Sequence, residues 1–181
     1  MIILKRKVGV VFTALLTGTI LFVVSHTSAH ADTVSQPYQV AIPSKDNTKP
    51  TIIGFDSQIA FESYLKEHPI APAFPKLLQS SSQIYSTFYH DTNLKGAKFN
   101  ANAGRNPILI TNFSASSNDQ VSSVWTHKFG NYTTLYEHKN AQGRALAIAN
   151  NGTSVDLTDY SMGDGERTWN DQASSVVVKA N

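Results

Sequence analysis

Cysteine is absent from this 181-residue chain, and its absence bears on both folding and ligand chemistry. Without thiols the chain cannot form disulfides, and it offers no soft sulfur ligand to a metal. The length suits one domain with a core of its own and some appended chain. Stability must therefore come from that core, with help from a bound ion where hard oxygen ligands are grouped.

Long apolar runs are also lacking, except near the N-terminus. Residues 5–7 are basic, an apolar run follows at 8–24, and residues 29–31 read Ala-His-Ala. This order predicts a secretory signal peptide, residues 1–31, cleaved after Ala31. An uncleaved membrane anchor is the alternative, but the run is short for a span and ends in a cleavage-like site. We expect a secreted, extracellular protein without a membrane span after cleavage.

A strong charge of either sign is missing as well. Three of the 15 Lys and Arg residues lie in the predicted signal peptide, so the rest of the chain has 12 basic and 13 acidic residues. Binding to a phosphate backbone requires a clustered basic face. We therefore expect no nucleic-acid partner.

Glycine is nearly absent from residues 32–82, which hold one glycine and six of the seven prolines. This composition predicts an extended segment with one short helix, which begins near Asp56 or Ser57 and ends before Pro69. Prolines at every third position from Pro69 to Pro75 favour a polyproline-II strap. The segment could be a pro-segment, a spacer or a strap packed on the domain.

Residues 83–181 have a different composition, with seven of the ten glycines and 11 of the 18 aromatic residues. Short stretches rich in Tyr, Phe, Val, Thr and Ile alternate there with Gly, Asn, Asp and Ser clusters. This alternation predicts an all-β sandwich or barrel. The stretches that read as strands are 83–90, 107–113, 122–129, 133–137, 144–149 and 174–179.

Two landmarks repeat within this β region. Gly96 follows Tyr89 by seven residues, and Gly143 follows Tyr136 by the same spacing, which gives an offset of 47 between the pairs. An aromatic residue followed by such a glycine fits a folded hairpin whose turn requires positive φ. The spacing predicts a duplicated unit of about 45 to 50 residues.

The second landmark is an Asn-Asp-x-x-Ser-Ser sequence. Residues 118–124 recur as 170–176 with six of seven positions identical, at an offset of 52. The larger offset indicates five extra residues in the second unit, which we place within 152–169. Amide, carboxylate, hydroxyl and freed carbonyl oxygens at this spacing are the hard ligands that Ca²⁺ prefers.

Both landmarks together resemble the βγ-crystallin family of the calcium-binding, microbial type. The resemblance covers about residues 83–180. It implies a βγ-crystallin-like double Greek-key sandwich of two four-stranded sheets, with motif 1 at about 83–130 and motif 2 at about 131–181.

The resemblance also implies two Ca²⁺ sites, each shared between the motifs. It assigns hydroxyl, side-chain oxygen and backbone carbonyl ligands, while the two asparagines hold the loops. The candidate residues are His90, Asn118, Asp119, Gln120, Ser122, Glu137, Asn170, Asp171, Gln172 and Ser174. The alternative is a purely structural one, since Asn, Asp and Ser also form ordinary turns with their own backbone.

Catalytic patterns are lacking. There is no Gly-x-Ser-x-Gly elbow, no zinc-ligand spacing among the histidines, and no EF-hand loop in the acidic stretch 159–166, which we expect to be solvated. We therefore expect a non-enzymatic, calcium-stabilised binding or structural module with an extracellular protein or envelope partner.

A secreted proteinase inhibitor is the alternative function, with residues 152–169 as its inhibitory loop, and a killer-toxin-like protein is a third. Inhibitors of this fold are disulfide-stapled as a family, so the absence of cysteine counts against the inhibitor.

Overall fold

The computed structural model describes residues 36–44, 49–70, 84–104 and 108–179. The predicted signal peptide and most of the predicted polyproline strap lie outside these ranges. None of the helices within them is long and apolar enough to cross a membrane.

The described residues form ten β-strands and one α-helix. In chain order these are β1 (Tyr38–Ile42), β2 (Thr51–Phe55), α1 (Gln58–Glu67), β3 (Tyr85–Asp91), β4 (Lys95–Gly104), β5 (Ile110–Asn112), β6 (Ser123–Trp125), β7 (Tyr132–His138), β8 (Gln142–Ala149), β9 (Ser154–Asp156) and β10 (Ser175–Lys179).

The two predicted motifs form two four-stranded sheets by exchanging their third strands. One sheet, the motif-1 sheet, runs β4-β3-β6-β9, and the other, the motif-2 sheet, runs β8-β7-β10-β5. Thus β5 of motif 1 pairs with β10, and β9 of motif 2 pairs with β6. The end of β4 also pairs in parallel with β10, so that the sheets are continuous. This order confirms the predicted double Greek key.

Strand periodicity explains the core between the sheets. Alternate residues point inward, so that Ile84 and Phe88 of motif 1 and Leu135 of motif 2 are fully buried in one apolar cluster. At the centre, the hydroxyls of Ser86 and Thr133 lie 2.6 Å apart, and these residues are separated by the repeat offset of 47. The duplication therefore places equivalent positions against each other.

A further layer covers the outer face of the motif-2 sheet. Strand β1 extends this sheet by pairing in parallel with β8, and β2 pairs antiparallel with β1. Helix α1 then packs on the face with Phe61 1% exposed, against a second apolar cluster that includes Tyr132 and Val40. Ile70 also donates its N–H to Asn131 Oδ1 at 3.0 Å. The described residues of 38–44 and 49–70 are therefore part of the packed structure.

The short helix predicted from the sequence is confirmed. It begins after Ser57, whose side chain accepts a hydrogen bond from the Ala60 N–H at 3.3 Å, so Ser57 rather than Asp56 is the N-cap. The prediction of an extended segment was incomplete, because β1 and β2 form a hairpin that pairs with β8.

The repeated glycines lie in two equivalent folded hairpins. Gly96 has φ 76° and Gly143 has φ 81°, as the spacing predicted. A Cβ at Gly96 would lie 2.6 Å from Asp91 Oδ2, and one at Gly143 would lie 2.9 Å from His138 Cδ2. The positive φ at both positions therefore favours glycine, and a Cβ would also force the Asp91 and His138 side chains to move.

The extra residues of motif 2 follow its third strand. Thirteen residues separate Asp156 from Asn170, whereas five separate Asn112 from Asn118, so this connection is eight residues longer. The net difference is five, because β9 begins three residues earlier in its repeat than β5 does. The prediction that residues 159–166 are a solvated loop is wrong in part, because Met162 and the preceding Tyr160 are buried in the main core. Burial of these two apolar side chains attaches the connection between β9 and loop residue Asn170 to the core, although acidic residues flank them.

Candidate metal centre

The two Asn-Asp-x-x-Ser-Ser loops dock against each other. Loop 1 is residues 118–123 and leads into β6; loop 2 is residues 170–175 and leads into β10. Asp119 N–H donates to Ala173 O at 3.1 Å, and Asp171 N–H donates to Val121 O at 3.0 Å. The loops of the two motifs therefore form one reciprocal unit.

The side chains cross between the loops in the same reciprocal way. Ser122 Oγ donates to Asp171 Oδ1 at 3.1 Å, and Ser174 Oγ donates to Asp119 Oδ1 at 3.3 Å. Each pair brings a hydroxyl and a carboxylate oxygen together from different motifs. The geometry thus assigns each predicted serine to the aspartate of the partner loop.

The preceding asparagines hold the aspartates in place. The amide of Asn118 donates to Asp119 Oδ2 at 2.6 Å, and that of Asn170 donates to Asp171 Oδ2 at 2.8 Å. The Oδ1 atoms of both asparagines are buried and have no hydrogen-bond partner among the described residues. Buried polar atoms normally have partners, so these oxygens indicate unused acceptor capacity at the loops.

Both aspartates have a left-handed backbone, with φ 53° at Asp119 and φ 57° at Asp171. Aspartate tolerates this conformation better than most residues. The following glutamines close each turn: Gln120 Nε2 donates to Asp119 O at 2.8 Å and Gln172 Nε2 to Asp171 O at 2.9 Å.

The hairpin residues His90 and Glu137 lie next to the loops through their backbones. Ser122 N–H donates to the Tyr89 carbonyl at 2.9 Å, and Ser174 N–H donates to the Tyr136 carbonyl at 2.9 Å. His90 and Glu137 follow these tyrosines directly. Two equivalent pairs result, which we call site 1 (Ser122 with Asp171) and site 2 (Ser174 with Asp119).

The second serine of each loop has a role that we did not predict. Ser123 Oγ donates to Asp91 O at 2.6 Å and accepts from Leu94 N–H at 3.0 Å. Ser175 Oγ donates to His138 O at 2.6 Å in the equivalent arrangement. These serines link the folded hairpins to the loops by hydrogen bonds. The presence of serine at this position in both repeats was the sequence signal that could have predicted the role.

An ion-pair cluster beside site 2 also escaped the sequence analysis. Arg167 lies 3.2 Å from Glu137 Oε1, 2.6 Å from Asp164 Oδ2 and 3.2 Å from Gln172 Oε1. Hydrogen bonds from Arg167 hold the pKa of Asp164 well below its usual range. Arg167 lies in the connection that is longer in motif 2, so no repeat pointed to it.

This donor set fits a hard cation. In the part of the chain that the structure describes, no three His, Asp or Glu side chains converge. Each site instead offers one carboxylate, one hydroxyl and adjacent backbone carbonyls. Oxygen donors of this kind suit Ca²⁺, whereas a zinc site would need nitrogen or sulfur ligands.

Comparison with known proteins gives matches among solved structures. Neither a family model nor a curated protein matches the chain. A structure described under the evolution of the eye lens βγ-crystallin domain fold is 19% identical, with 54% of this chain and 86% of that chain covered and a TM-score of 0.42.

Two microbial structures are similar as well. A βγ-crystallin from an archaeon is 20% identical over 52% of this chain and 95% of its own, with a TM-score of 0.37. A βγ-crystallin domain from Clostridium beijerinckii is 22% identical over 54% of this chain and 99% of its own, also at 0.37. The architecture itself is defined by the exchange of third strands between the two four-stranded Greek-key sheets. The chain has a βγ-crystallin fold.

Proposed function

We propose that this protein binds two Ca²⁺ ions, one at site 1 and one at site 2. The observation that supports the proposal is the reciprocal pairing of Ser122 with Asp171 and of Ser174 with Asp119 across two loops. Turn formation alone does not require a carboxylate of one motif to meet the hydroxyl of the other. The unpartnered buried amide oxygens add acceptor capacity at both loops.

The role of the ions in this proposal is stabilisation. When bound, Ca²⁺ supplies positive charge that a carboxylate and several neutral oxygens share. Ser122 and Asp171, with the carbonyls of His90 and Gln172, hold one ion. Ser174 and Asp119, with the carbonyls of Glu137 and Gln120, hold the other.

Each site therefore links motif 1 to motif 2. Since each holds one carboxylate, we expect affinities in the range of extracellular modules or weak sensors, about 10⁻⁵ to 10⁻³ M. This range suits a calcium-rich medium outside the cell.

We further propose that the protein acts as a non-enzymatic module outside the cell, as the N-terminal sequence pattern predicts. Its partner would be an extracellular protein or an envelope component. Proteinase inhibition stays a prediction, and the Arg167–Glu137 ion pair links the candidate inhibitory loop to β7.

Titration calorimetry on calcium-free protein tests the metal sites. We expect about two ions per chain. Ser122→Ala should lower the affinity of site 1 by roughly tenfold, because a ligand worth about 1.4 kcal/mol is removed. Ser174→Ala should do the same at site 2, and the double variant should show the roughly tenfold loss of affinity at both sites.

Ser116→Ala is the matched control, because Ser116 is an exposed serine in the connection that precedes loop 1. It should bind two ions with unchanged affinity. The absence of binding heat in the unsubstituted protein at millimolar Ca²⁺ would refute the proposal, and the loops would then be structural turns.

A further inference from the structure

The outward faces of the two sheets differ in composition although they are duplicates. On β4, the outward positions are Lys98, Asn100 and Asn102, which all lie on the exposed side of the motif-1 sheet. At the offset of 47, β8 has alanine in each place, namely Ala145, Ala147 and Ala149. One face is therefore polar where the other is small and apolar.

This difference matches what covers each face. The three alanines are buried under the layer formed by β1, β2 and α1. The cluster beneath that layer contains no motif-1 residue. On the motif-1 sheet, Lys98, Asn100 and Asn102 are exposed. Alanine permits close packing of a second layer, whereas Asn and Lys do not favour it, so the motif-1 face is built to meet a polar environment.

Aromatic rings lie on the same open face. Tyr85 and Tyr89 of β3 and Trp125 of β6 point outward and are half-buried. His127 packs against two of them, with its ring centroid 6.0 Å from that of Tyr85 and 6.2 Å from that of Trp125. The rings are therefore positioned by packing while part of each surface stays accessible.

Polar groups lie in register beside these rings. Asn102 pairs with Tyr85 across β3 and β4, and Asn100 pairs with Thr87. Thr87 Oγ1 donates to Asn100 Oδ1 at 2.9 Å, which orients the amide and leaves its two N–H donors pointing away from that bond. Lys98 Nζ lies 5.9 Å from the centre of the Tyr89 ring.

We propose that this open face, formed by Tyr85, Tyr89, Lys98, Asn100, Asn102 and Trp125, binds an acidic polysaccharide that contains uronic acid units. Aromatic surfaces pack against the C–H faces of sugar rings, and carboxamides donate to and accept from hydroxyls. Lys98 supplies the one formal charge among these six side chains. Its positive sign is complementary to a uronate carboxylate. The proposal does not depend on calcium binding.

Affinity electrophoresis tests the proposal with protein produced from the full sequence, in EDTA so that Ca²⁺ cannot bridge acidic chains. The gels contain sodium polygalacturonate, its methyl ester, polyglutamate or no polymer. We expect retardation by polygalacturonate, about tenfold weaker binding to the uncharged ester, and quenching or a shift of Trp125 emission on binding.

The variant Asn100→Ala/Asn102→Ala is chosen because alanine occupies the equivalent positions of β8 within the same fold. It should keep the melting temperature and bind polygalacturonate at least about tenfold more weakly, which corresponds to the loss of about 1.4 kcal/mol. Lys98→Ala should bind the acid and its ester alike. The control variant Lys139→Ala/Gln142→Ala changes exposed residues of the other motif and should bind normally.

Three results would overturn the proposal. One is no retardation of the unsubstituted protein by polygalacturonate. Another is equal retardation by polyglutamate, which would show attraction by charge alone. The third is unchanged binding by a folded Asn100→Ala/Asn102→Ala variant.

Discussion

Equivalent residues of the two repeats can have different structural roles. Tyr85 and Tyr132 are separated by the repeat offset, yet Tyr132 is 1% exposed and donates its hydroxyl to His68 O at 2.7 Å, whereas Tyr85 lies on the open face. Burial raises the pKa of Tyr132 to about 12. The same residue type is therefore a covered anchor in one motif and an accessible ring in the other.

Burial also raises the pKa of Tyr136 to about 12, with smaller contributions from Glu62 and Tyr38, and that of Tyr160 to about 12. These tyrosines ionise near pH 10 when the chain is unfolded. Between pH 10 and 12 the unfolded chain therefore binds fewer protons than the folded one. The contribution of these tyrosines to the free energy of unfolding should be constant below pH 10 and fall above it, by at most about 1.4 kcal/mol per pH unit for each such tyrosine.

Urea unfolding at pH 8, 10 and 11 measures this slope, and Tyr136→Phe should make it smaller. The pH 8 values serve as the control, because there every tyrosine is protonated and any difference reflects packing alone. A free energy of unfolding that does not change from pH 8 to pH 11 would contradict the prediction.

At the scale of elements, the layer of β1, β2 and α1 decides which sheet face is covered. Phe61 is its central contact: its ring lies 5.8 Å from that of Tyr38 and 6.0 Å from that of Phe55, and it is 1% exposed. The helix carries no other buried side chain. Phe61 is therefore the most deeply buried contact of α1 with the domain, next to the partly buried Tyr64 and Leu65.

Phe61→Ala should lower the free energy of unfolding by about 3 to 5 kcal/mol, as expected for a large aromatic side chain lost from a core. Limited proteolysis should then cut near α1 before it cuts the β-sandwich. Ile59→Ala is the matched control within the same helix, because Ile59 is 80% exposed. A stability loss at Phe61 no larger than that at Ile59 would refute this role.

How far the sequence predicts these elements depends on how local the signals are. The helix cap at Ser57 and the hairpin glycines Gly96 and Gly143 are local features, and the structure confirms them. The hairpin β1–β2 was missed, because β1 pairs with β8, about a hundred residues further along the chain. Such a pairing leaves no local pattern. The contrast between the alanines of β8 and the polar residues of β4 was the available signal.

The candidate metal sites likewise combine features that the sequence predicts with features that it does not. Repetition of the Asn-Asp-x-x-Ser-Ser sequence predicted both loops, but not that Ser122 meets Asp171 across the motifs. That contact depends on how the two sheets dock. The contacts of Arg167 could not be predicted from the sequence, because its partners Glu137 and Gln172 come from separate elements.

At the scale of the whole molecule, the two motifs cannot separate without breaking both sheets. Each sheet contains a strand from the other motif, and the end of β4 pairs with β10. The main core draws residues from both motifs, including Phe88 and Trp169. The candidate ion sites lie across this same boundary, so any ion bound there stabilises the complete sandwich rather than one motif.

We therefore expect one cooperative thermal transition whose midpoint rises with calcium. At a calcium concentration one hundred times the dissociation constant, each ion should raise the free energy of unfolding by about 2.7 kcal/mol, which corresponds to about 5 to 10 °C in melting temperature for a domain of this size.

Scanning calorimetry should be compared with tryptophan emission. Trp169, fully buried in the core, is observed in Trp125→Phe, and Trp125, on the motif-1 sheet, is observed in Trp169→Phe. Both should report the same calcium-induced shift, since the ions link the motifs. Within either variant, a fluorescence midpoint that differs from the calorimetric midpoint would show that the motifs unfold independently. No shift with calcium would show that neither site holds an ion.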